Sequence, residues 1–410
     1  PIIPPPGGAT SYAGIFMLYT NHDRPMIIGE PGSDPARRNR FRDIDNGILK
    51  YYGDDLLVQN SSFLDLNTDG EGGSAVQMTE GDFLEVYGLG VSAGSGVPIP
   101  GNGDPETVRG AWRGVEANWV NQVTVRDCKM TDMAVFGIRT RYATERLDVQ
   151  NNAVEAGRYG VFDFASSAGA FTIDNNNIEI LATSPYGAGG YYWTAGIYLG
   201  SSFPSGINAS VSDNSIRMMG DEAYGGITML DVAGLGQTDN QQIFVVNNQI
   251  DLPGENVPDM SGFFLDGCNF LHLECNGVSG QDVVINGQQQ RGWAVEGSDA
   301  YLINSTNNTN YECNGAIWTQ IGFNYNGNCS GTEFSTNQMN GHRHGLLMSQ
   351  NAIFQANGLP QIDASNVWNY LFNGSFFNYE LGPFPNNPVP GEPLPVIHFG
   401  MAFEVNNSKF

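Results

Sequence analysis

The sequence predicts an all-β solenoid in which short parallel strands stack coil upon coil. A glycine followed by alternating apolar residues recurs along most of the chain, for example as GIRTR from 137 and GVFDF from 160. Asn and Gly account for 42 and 53 of the 410 residues, and both tolerate the left-handed backbone conformations that turns require. No segment shows a sustained helical period of apolar residues, which argues against long amphipathic helices.

The glycine-anchored strand sets the expected period of the solenoid. From 114 onward its copies start 23, 23, 36, 30, 36, 30, 23 and 30 residues apart, which predicts a shortest coil of 23 residues that loops lengthen elsewhere. The first and third residues after the glycine are mostly apolar and are predicted to point inward, so the second and fourth point outward. Copies are predicted at GILKY from 47, SAVQM from 74, GVEAN from 114, GIRTR from 137, GVFDF from 160, GIYLG from 196, GITML from 226, GFFLD from 262, GWAVE from 292, GAIWT from 315 and GLLMS from 345.

A second strand precedes many of these copies and ends in Asn, Asp or Cys. Examples are LDVQNN from 147 and FTIDNN from 171. Each is a short alternating strand that closes on a residue tolerant of the left-handed conformation. Such strands cannot bury their inward faces alone, whereas stacked coils bury a continuous core and pair their backbone groups. The closing asparagines are predicted to stack as an amide ladder.

This repeat resembles the right-handed parallel β-helix superfamily, the pectin-lyase-like fold. The resemblance covers residues 40–355 and rests on periodicity, and it implies the right-handed winding. The predicted fold class is all-β, a right-handed parallel β-helix of about 11 coils with Pro-rich ends. Residues 1–39 are predicted as an N-terminal arm or cap, 40–355 as the parallel β-helix, and 356–410 as a C-terminal cap with a Pro-rich tail. Because proline cannot add ladder strands, the ends either cap the open coils or dock onto a neighbouring molecule.

The composition restricts partners and compartment. The net charge of −25 argues against nucleic acid and anionic membranes as partners, and it favours cations, above all calcium. No apolar run is long enough to span a membrane. Seven sequons favour a secreted glycoprotein without proving glycosylation. They lie at Asn60, Asn208, Asn304, Asn307, Asn328, Asn373 and Asn406.

The five cysteines suit an oxidising compartment, in which two disulfides and one free thiol would form. None lies in a CxxC pair, which argues against a zinc site. LECNG from 273 and YECNG from 311 are near-copies, so Cys275 and Cys313 are expected at equivalent corners. Adjacent coils would permit a disulfide between them and a separation of two coils would not. A buried cysteine ladder is the alternative.

Residues 54–70 contain fragments of a pectinase-type site. In those glycoside hydrolases an Asn-Thr-Asp motif precedes paired aspartates, a histidine and a cation, which converge on one glycosidic bond. Here Asp54 and Asp55 come before Asn67 and Asp69. The candidates for the histidine and the cation, in GHRHG from 341 and GIRTRY from 137, lie far apart and in reversed order. Ordinary turn chemistry is therefore the favoured interpretation.

The same stretch offers a candidate calcium site. DLNTDGE from 65 matches the opening of a calcium-binding loop, with Asp65, Asn67 and Asp69 as oxygen ligands and Gly70 at the sharp turn. The loop lacks a glutamate at its twelfth position, where Val76 stands. A solvated acidic turn is the alternative interpretation.

Outward positions on consecutive glycine-anchored strands form the main candidate binding surface. They are predicted to display Arg139 and Arg141, then Phe162 and Phe164, then Tyr198. Aromatic rings stack on pyranose faces and guanidinium groups bind carboxylates or sulfates. These five residues are therefore the candidate glycan-binding residues. The alternative is that the long loop over 182–195 covers the rings.

Two further features have competing interpretations. Asp163 falls on an inward position, so it is either hydrogen-bonded in the core or the predicted register is wrong there. His342 and His344 in GHRHG would face the same side of a strand, as a metal or acid–base site requires. No third ligand is identifiable for them in the sequence, and an exposed loop is the favoured interpretation.

Two classes of function fit these observations. The favoured one is an extracellular structural or adhesive rod, a surface or fibril component that binds a polysaccharide or glycan and self-associates through its Pro-rich termini. The alternative is a secreted polysaccharide-active enzyme, a lyase, hydrolase or epimerase, that uses the Arg/aromatic outer face. The absence of a catalytic set in family order favours the non-enzymatic rod, although the fold does not decide between them.

Overall fold

In the computed structural model, strands of successive coils pair in parallel, which confirms the predicted all-β solenoid. Coils contribute strands to three stacks. The glycine stack holds the glycine-anchored strands, the asparagine stack holds the strands that end in Asn, Asp or Cys, and the linking stack joins each coil to the next. The structure describes residues 13–20, 25–29, 39–42, 44–64, 66, 73–88, 108–109, 111–181, 194–204, 209–219, 225–234, 242–252, 260–280, 283–285, 288–290, 298–317, 319–340, 342, 344–354, 367–372, 375–379 and 401–405.

The strands are numbered in chain order. The glycine stack comprises β1 (Ala13–Thr20), β4 (Asn46–Gly53), β7 (Ser74–Tyr87), β9 (Arg113–Arg126), β11 (Phe136–Arg141), β14 (Tyr159–Phe164), β17 (Ala195–Gly200), β20 (Gly225–Leu230), β23 (Ser261–Asp266), β28 (Asp299–Asn304), β31 (Ile321–Cys329), β34 (His344–Phe354) and β37 (Met401–Val405). The asparagine stack comprises β2 (Met26–Ile28), β5 (Asp55–Gln59), the second halves of β7 and β9, β12 (Arg146–Gln150), β15 (Ala170–Asp174), β18 (Ala209–Ser212), β21 (Ile243–Val246), β24 (Leu271–Glu274), β29 (Asn310–Glu312) and β32 (Glu333–Ser335). The linking stack comprises β3 (Asn39–Arg42), β6 (Ser61–Leu64), β8 (Val108–Arg109), β10 (Lys129–Met133), β13 (Ala153–Ala156), β16 (Asn177–Ile180), β19 (Ser215–Met218), β22 (Gln249–Asp251), β25 (Gly277–Ser279), β30 (Gly315–Ile317), β33 (Gln338–Asn340) and β35 (Val367–Phe372). Two antiparallel hairpins add β26 (Val283–Ile285) with β27 (Gln288–Gln290), and β36 (Ser375–Tyr379) with β35.

The repeated glycines leave room for a linking-stack side chain of the same coil and for the backbone of the next coil. A β-carbon on Gly196 would lie 2.4 Å from Ile216 Cγ2 and 2.7 Å from the carbonyl oxygen of Gly226. In β28, Ala300 occupies this position instead of glycine, and the linking stack there carries Ala316, where other coils carry Val, Ile or Met. A smaller side chain on one strand therefore accompanies the extra methyl group on the other.

This exchange explains one wrong prediction. The predicted glycine-anchored strand at 315 is β30 of the linking stack, and the glycine-stack strands in this region are β28 and β31. Because β28 has Ala300 where most other strands of the pattern have glycine, the sequence pattern is displaced onto Gly315. The predicted copy at 292 lies outside the described residues.

The asparagine ladder is confirmed. In its middle, Asn176 Nδ2 donates to Asn214 Oδ1 (2.9 Å) and Asn214 Nδ2 donates to Asn248 Oδ1 (2.9 Å), while each amide also donates to a backbone carbonyl. The residue before each ladder asparagine has a left-handed backbone, as at Asn175 (φ 51°) and Asp213 (φ 53°). The described ladder consists of Asn152, Asn176, Asn214, Asn248, Asn276, Asn314 and Asn337.

The largely apolar interior contains a buried carboxylate with hydrogen-bond partners, Asp163. Asp163 is fully buried and accepts hydrogen bonds from the hydroxyls of Thr140 (2.7 Å), Ser166 (2.6 Å) and Ser202 (2.7 Å). The predicted inward register is therefore correct here, and the carboxylate links three successive coils. Burial raises the pKa of Asp163, and the three hydroxyls oppose that shift.

The parallel ladder takes in residues near both termini. β1 pairs with β4 and β37 pairs with β34, so residues 13–20 and 401–405, which the sequence assigns to an arm and a cap, join the glycine stack. The Pro-rich segments 1–8 and 381–399 lie outside the described residues. Within the described part of the chain there is no helix long and apolar enough to cross a membrane.

Candidate functional site

The outward positions of β9, β11, β14 and β17 form one continuous surface. The structure brings all five candidate glycan-binding residues onto it, because the four strands pair in register. One column runs Glu116, Arg139, Phe162 and Tyr198, and the neighbouring column runs Asn118, Arg141, Phe164 and Gly200. Residues 182–193, the loop expected to cover the rings, lie outside the described residues.

Arg139 is engaged by a buried carboxylate that the sequence reasoning missed. Glu116, only 3% exposed, lies 2.9 Å from Arg139 Nη1 and 3.2 Å from Arg113 Nη1. The guanidinium of Arg139 also lies 5.0 Å from the ring centroid of Phe136. Burial lowers the pKa of Arg139, and the charge of Glu116 opposes that shift. Glu116 precedes Arg139 by 23 residues, the length of the shortest coil. This spacing in the sequence could have predicted that the two side chains are neighbours.

The aromatic rings of this surface stack mainly on one another. Phe136 stacks on Tyr159 (centroids 5.1 Å apart, planes 10° apart) and Phe162 on Tyr198 (4.8 Å, 4°). Burial raises the pKa of Tyr159 to about 12. Because these ring faces already contact each other between coils, the stacks have limited ring area left to carry a sugar.

The surface is more open at the end of the strands, in a cluster that we call the Trp119 corner. It consists of Asn118, Trp119, Arg141, Tyr142 and Phe164. Trp119 is 55% exposed and stacks on Tyr142 with centroids 3.7 Å apart. Arg141 Nε donates to Asn118 Oδ1 (2.6 Å), and no described residue accepts a hydrogen bond from its two Nη atoms. The corner therefore joins an exposed indole to a guanidinium with unused donors.

A pair of carboxylates lies further along the same stack. Asp231 follows β20 and Asp266 ends β23 on the next coil, and Asp231 N donates to the Asp266 carbonyl (2.9 Å). Burial and the charge of Asp231 raise the pKa of Asp266, which accepts a hydrogen bond from Asn304 Nδ2 (2.8 Å). The sequence reasoning missed this pair because coil lengths vary in this region, so spacing alone does not align the two residues.

The pectinase-type and calcium candidates lie only partly within the described residues. Asp54 lies between β4 and β5, and Asp55 begins β5, while the calcium candidates Asp65, Asn67 and Asp69 lie outside the described residues. The described residues hold no cluster of three or more His, Cys, Asp or Glu side chains arranged for a metal ion.

The predicted exposed loop around GHRHG is wrong at His342, which is buried. Its Nδ1 lies 3.0 Å from both the hydroxyl and the carbonyl oxygen of Thr319, and its Nε2 lies 2.9 Å from the Ala316 carbonyl. Burial lowers the pKa of His342 to about 4. Both ring nitrogens are thus occupied by the protein, which leaves neither for a metal ion.

The sequons differ in accessibility. Asn60 is buried, whereas Asn328 is exposed. Asn304 and Asn307 are half-buried and hydrogen-bonded to neighbouring coils. The sequons at 208, 373 and 406 lie outside the described residues.

Comparison with known proteins adds one finding to this geometry. Residues 26–216 match the family described as a right handed beta helix region. The match and the parallel stacks together show the right-handed parallel β-helix fold that the repeat predicts. The matched family is consistent with a pectin-lyase-like protein, of either the structural or the polysaccharide-active kind. No curated protein and no solved structure matches the chain.

Proposed function

We propose that this protein is an extracellular structural or adhesive rod that binds anionic polysaccharide at the Trp119 corner. The observation that carries the proposal is the pairing of an exposed indole with the unused guanidinium donors of Arg141 on the adjacent coil. Indole faces stack on apolar sugar faces, and guanidinium groups bind carboxylates or sulfates with two parallel hydrogen bonds.

The local charge supports an anionic ligand. Arg113 and Arg141 lie close enough to Arg139 for their positive charges to repel its own. Among the described residues, Glu116 is the carboxylate that pairs with Arg113 and Arg139, which leaves an excess of positive charge here in a chain with a net charge of −25. Arg139 is held by Glu116 and Phe136, which assigns it to positioning the surface. Arg141 is then the residue that contacts the acidic sugar. In this proposal the two arginines have different roles, although the sequence pattern gives them equivalent outward positions.

Binding is tested by titrating the protein with uronic-acid oligosaccharides and with neutral oligosaccharides of equal length. Trp119→Ala and Arg141→Gln should each weaken binding of the acidic ligand by about tenfold or more, since either contact contributes about 1–2 kcal/mol. Tyr87→Ala, at a ring that is 37% exposed but ends β7 in the asparagine stack, is the control and should bind normally. Equal binding by all variants would refute the proposal.

A second candidate function, cleavage of a polysaccharide, rests on Asp231 and Asp266. Hydrolysis of a glycosidic bond uses two carboxyl groups, and the one that acts as general acid needs a raised pKa. Asp266 has a raised pKa and Asp231 lies on the adjacent coil. Release of reducing ends from acidic polysaccharides that is lost in Asp266→Asn and in Asp231→Asn would establish it. Binding without any release of reducing ends favours the rod.

The extracellular location and glycosylation form part of the same proposal. Among the sequons in the described residues, Asn328 has the exposure that a glycan needs. Expression in a secretory eukaryotic host should therefore place a glycan on Asn328 and leave the buried Asn60 unmodified. Peptide mapping after enzymatic deglycosylation measures both sites in one experiment.

A further inference from the structure

Cys275 and Cys313 occupy the same corner of adjacent coils. They directly follow β24 and β29, in which Glu274 and Glu312 are register partners, and Cys275 N donates to the Glu312 carbonyl (3.0 Å). Both have left-handed backbones, with φ of 52° and 59°. Adjacent parallel strands lie about 4.8 Å apart, a spacing within the range of about 4.4–6.8 Å that disulfides span between Cα atoms.

The backbone does not account for cysteine at this corner. In the neighbouring coils the equivalent left-handed position is held by Asp213, Asn247 and Thr336. Asn and Asp are the non-glycine residues that this conformation favours, because their short polar side chains bond locally. Cysteine at this position in two adjacent coils therefore indicates a role for the thiol groups themselves.

The two thiols lie on neighbouring coils at an accessible corner, and the other three cysteines are enclosed. Cys313 is exposed and Cys275 is half-buried, and the neighbouring Cys313 thiol is the main cause that raises the pKa of Cys275 to about 11. By contrast, each of the other thiols is buried and donates to a backbone carbonyl. These bonds are Cys128 to Arg126 (3.2 Å), Cys268 to Met229 (3.2 Å) and Cys329 to Asn326 (3.4 Å).

We propose that Cys275 and Cys313 are a redox site, at which a disulfide links one coil of the solenoid to the next. The oxidant is a low-molecular-weight disulfide such as glutathione disulfide. The thiolate of the exposed Cys313 attacks one sulfur of this reagent and releases the first small thiol. The Cys275 thiolate then attacks the mixed disulfide at Cys313 and releases the second. The two electrons and two protons of the cysteine thiols thus leave on two small thiols.

The cross-link closes a defined segment of the chain. Between the two cysteines lie β25, the β26–β27 hairpin, β28 and β29, together with residues 281–282, 286–287 and 291–297, which lie outside the described part. A disulfide stabilises chiefly by restricting the unfolded chain that it encloses. The same corner is reachable by solvent, so the bridge opens again with a reducing thiol under native conditions.

The proposal is tested on the folded, reduced protein with glutathione disulfide as the probe. The expected product has lost about 2 Da, the mass of two hydrogen atoms, and retains no glutathione. Peptide mapping should link Cys275 to Cys313, and dithiothreitol without denaturant should reverse the bond. Cys275→Ser should instead retain one glutathione on Cys313, whereas the buried control Cys268→Ser should oxidise like the unmodified protein.

Stability provides the second measurement. Oxidation should raise the melting temperature, and Cys275→Ser should abolish the rise. Separate glutathione adducts on both cysteines, independent alkylation of both after oxidation, or no reaction would each overturn the redox site. A bridge that forms without any rise in melting temperature would overturn its role as a link between coils.

Discussion

Replacing Asn214 by alanine tests how the asparagine ladder holds the coils together. The side-chain oxygen of Asn214 accepts hydrogen bonds from Asn176 N (3.0 Å) and Asn176 Nδ2 (2.9 Å). Its Nδ2 donates to the Ile173 carbonyl (3.0 Å) and to Asn248 Oδ1 (2.9 Å). Truncation thus leaves two buried donors of Asn176 without their shared acceptor.

The cost follows from counting these orphaned donors. A buried donor left unpaired costs about 1–3 kcal/mol, so Asn214→Ala should destabilise the fold by about 2–6 kcal/mol. Asn152 is the matched comparison because its Nδ2 makes the same two kinds of bond, while its oxygen accepts from Cys128 N. With one orphaned donor, Asn152→Ala should cost about half as much.

Guanidinium unfolding followed by far-UV circular dichroism measures both variants. Asn175→Gly is the control, since this exposed residue also bonds to an asparagine of another coil (2.8 Å) and glycine keeps its left-handed backbone. Its transition should stay close to that of the unmodified protein. An Asn152→Ala cost equal to that of Asn214→Ala, or a large effect of Asn175→Gly, would refute the reasoning.

Three more predictions follow from the core. Gly196→Ala should cost about 1–3 kcal/mol by overpacking, and adding Ile216→Ala should cost less than the sum of the two single changes, because the pair then matches Ala300 and Ala316; strict additivity in thermal melts would contradict this. The free energy of unfolding should fall by about 3 kcal/mol as the pH falls from 6.5 to about 4, because His342 binds a proton more readily in the unfolded state than in the folded state. His342→Gln should flatten this part of the pH profile of the unfolding midpoint. Asp163→Ala should destabilise more than Asp163→Asn, which still offers an acceptor to the coil-linking hydroxyls; equal unfolding midpoints would argue against their role.

The features that repeat in every coil could be predicted from the sequence, whereas those that depart from the repeat could not. Glycine anchors and closing asparagines recur because every coil makes the same close approach and the same left-handed corner, so the solenoid and its ladder were readable. Ala300 in place of glycine interrupts the pattern. The compensating change at Ala316 can be recognised only when the pairing of the strands is known. The buried His342 was likewise unreadable, since its partners lie on another coil.

The candidate site was only partly predictable for a similar reason. The alternation of outward residues correctly grouped Arg139, Arg141 and Phe162 on one surface. Whether each group is available to a ligand depends on its neighbours on adjacent coils, as the ion pair with Glu116 shows for Arg139. The exposed Trp119 lies just beyond the strand pattern, at a corner where alternation no longer assigns a direction to the side chain.

The asparagine ladder also gives the solenoid a polarity along its axis. Every ladder amide turns its oxygen toward the preceding coil and its NH2 group toward the following one, so the amide dipoles are aligned head to tail and strengthen one another. The two ends of this column are therefore chemically different: the first must receive a donor, as it does from Cys128 N, and the last must offer one. A coil added or removed whole within the array preserves the alignment, whereas a coil that lacks its asparagine divides one long dipole into two shorter ones.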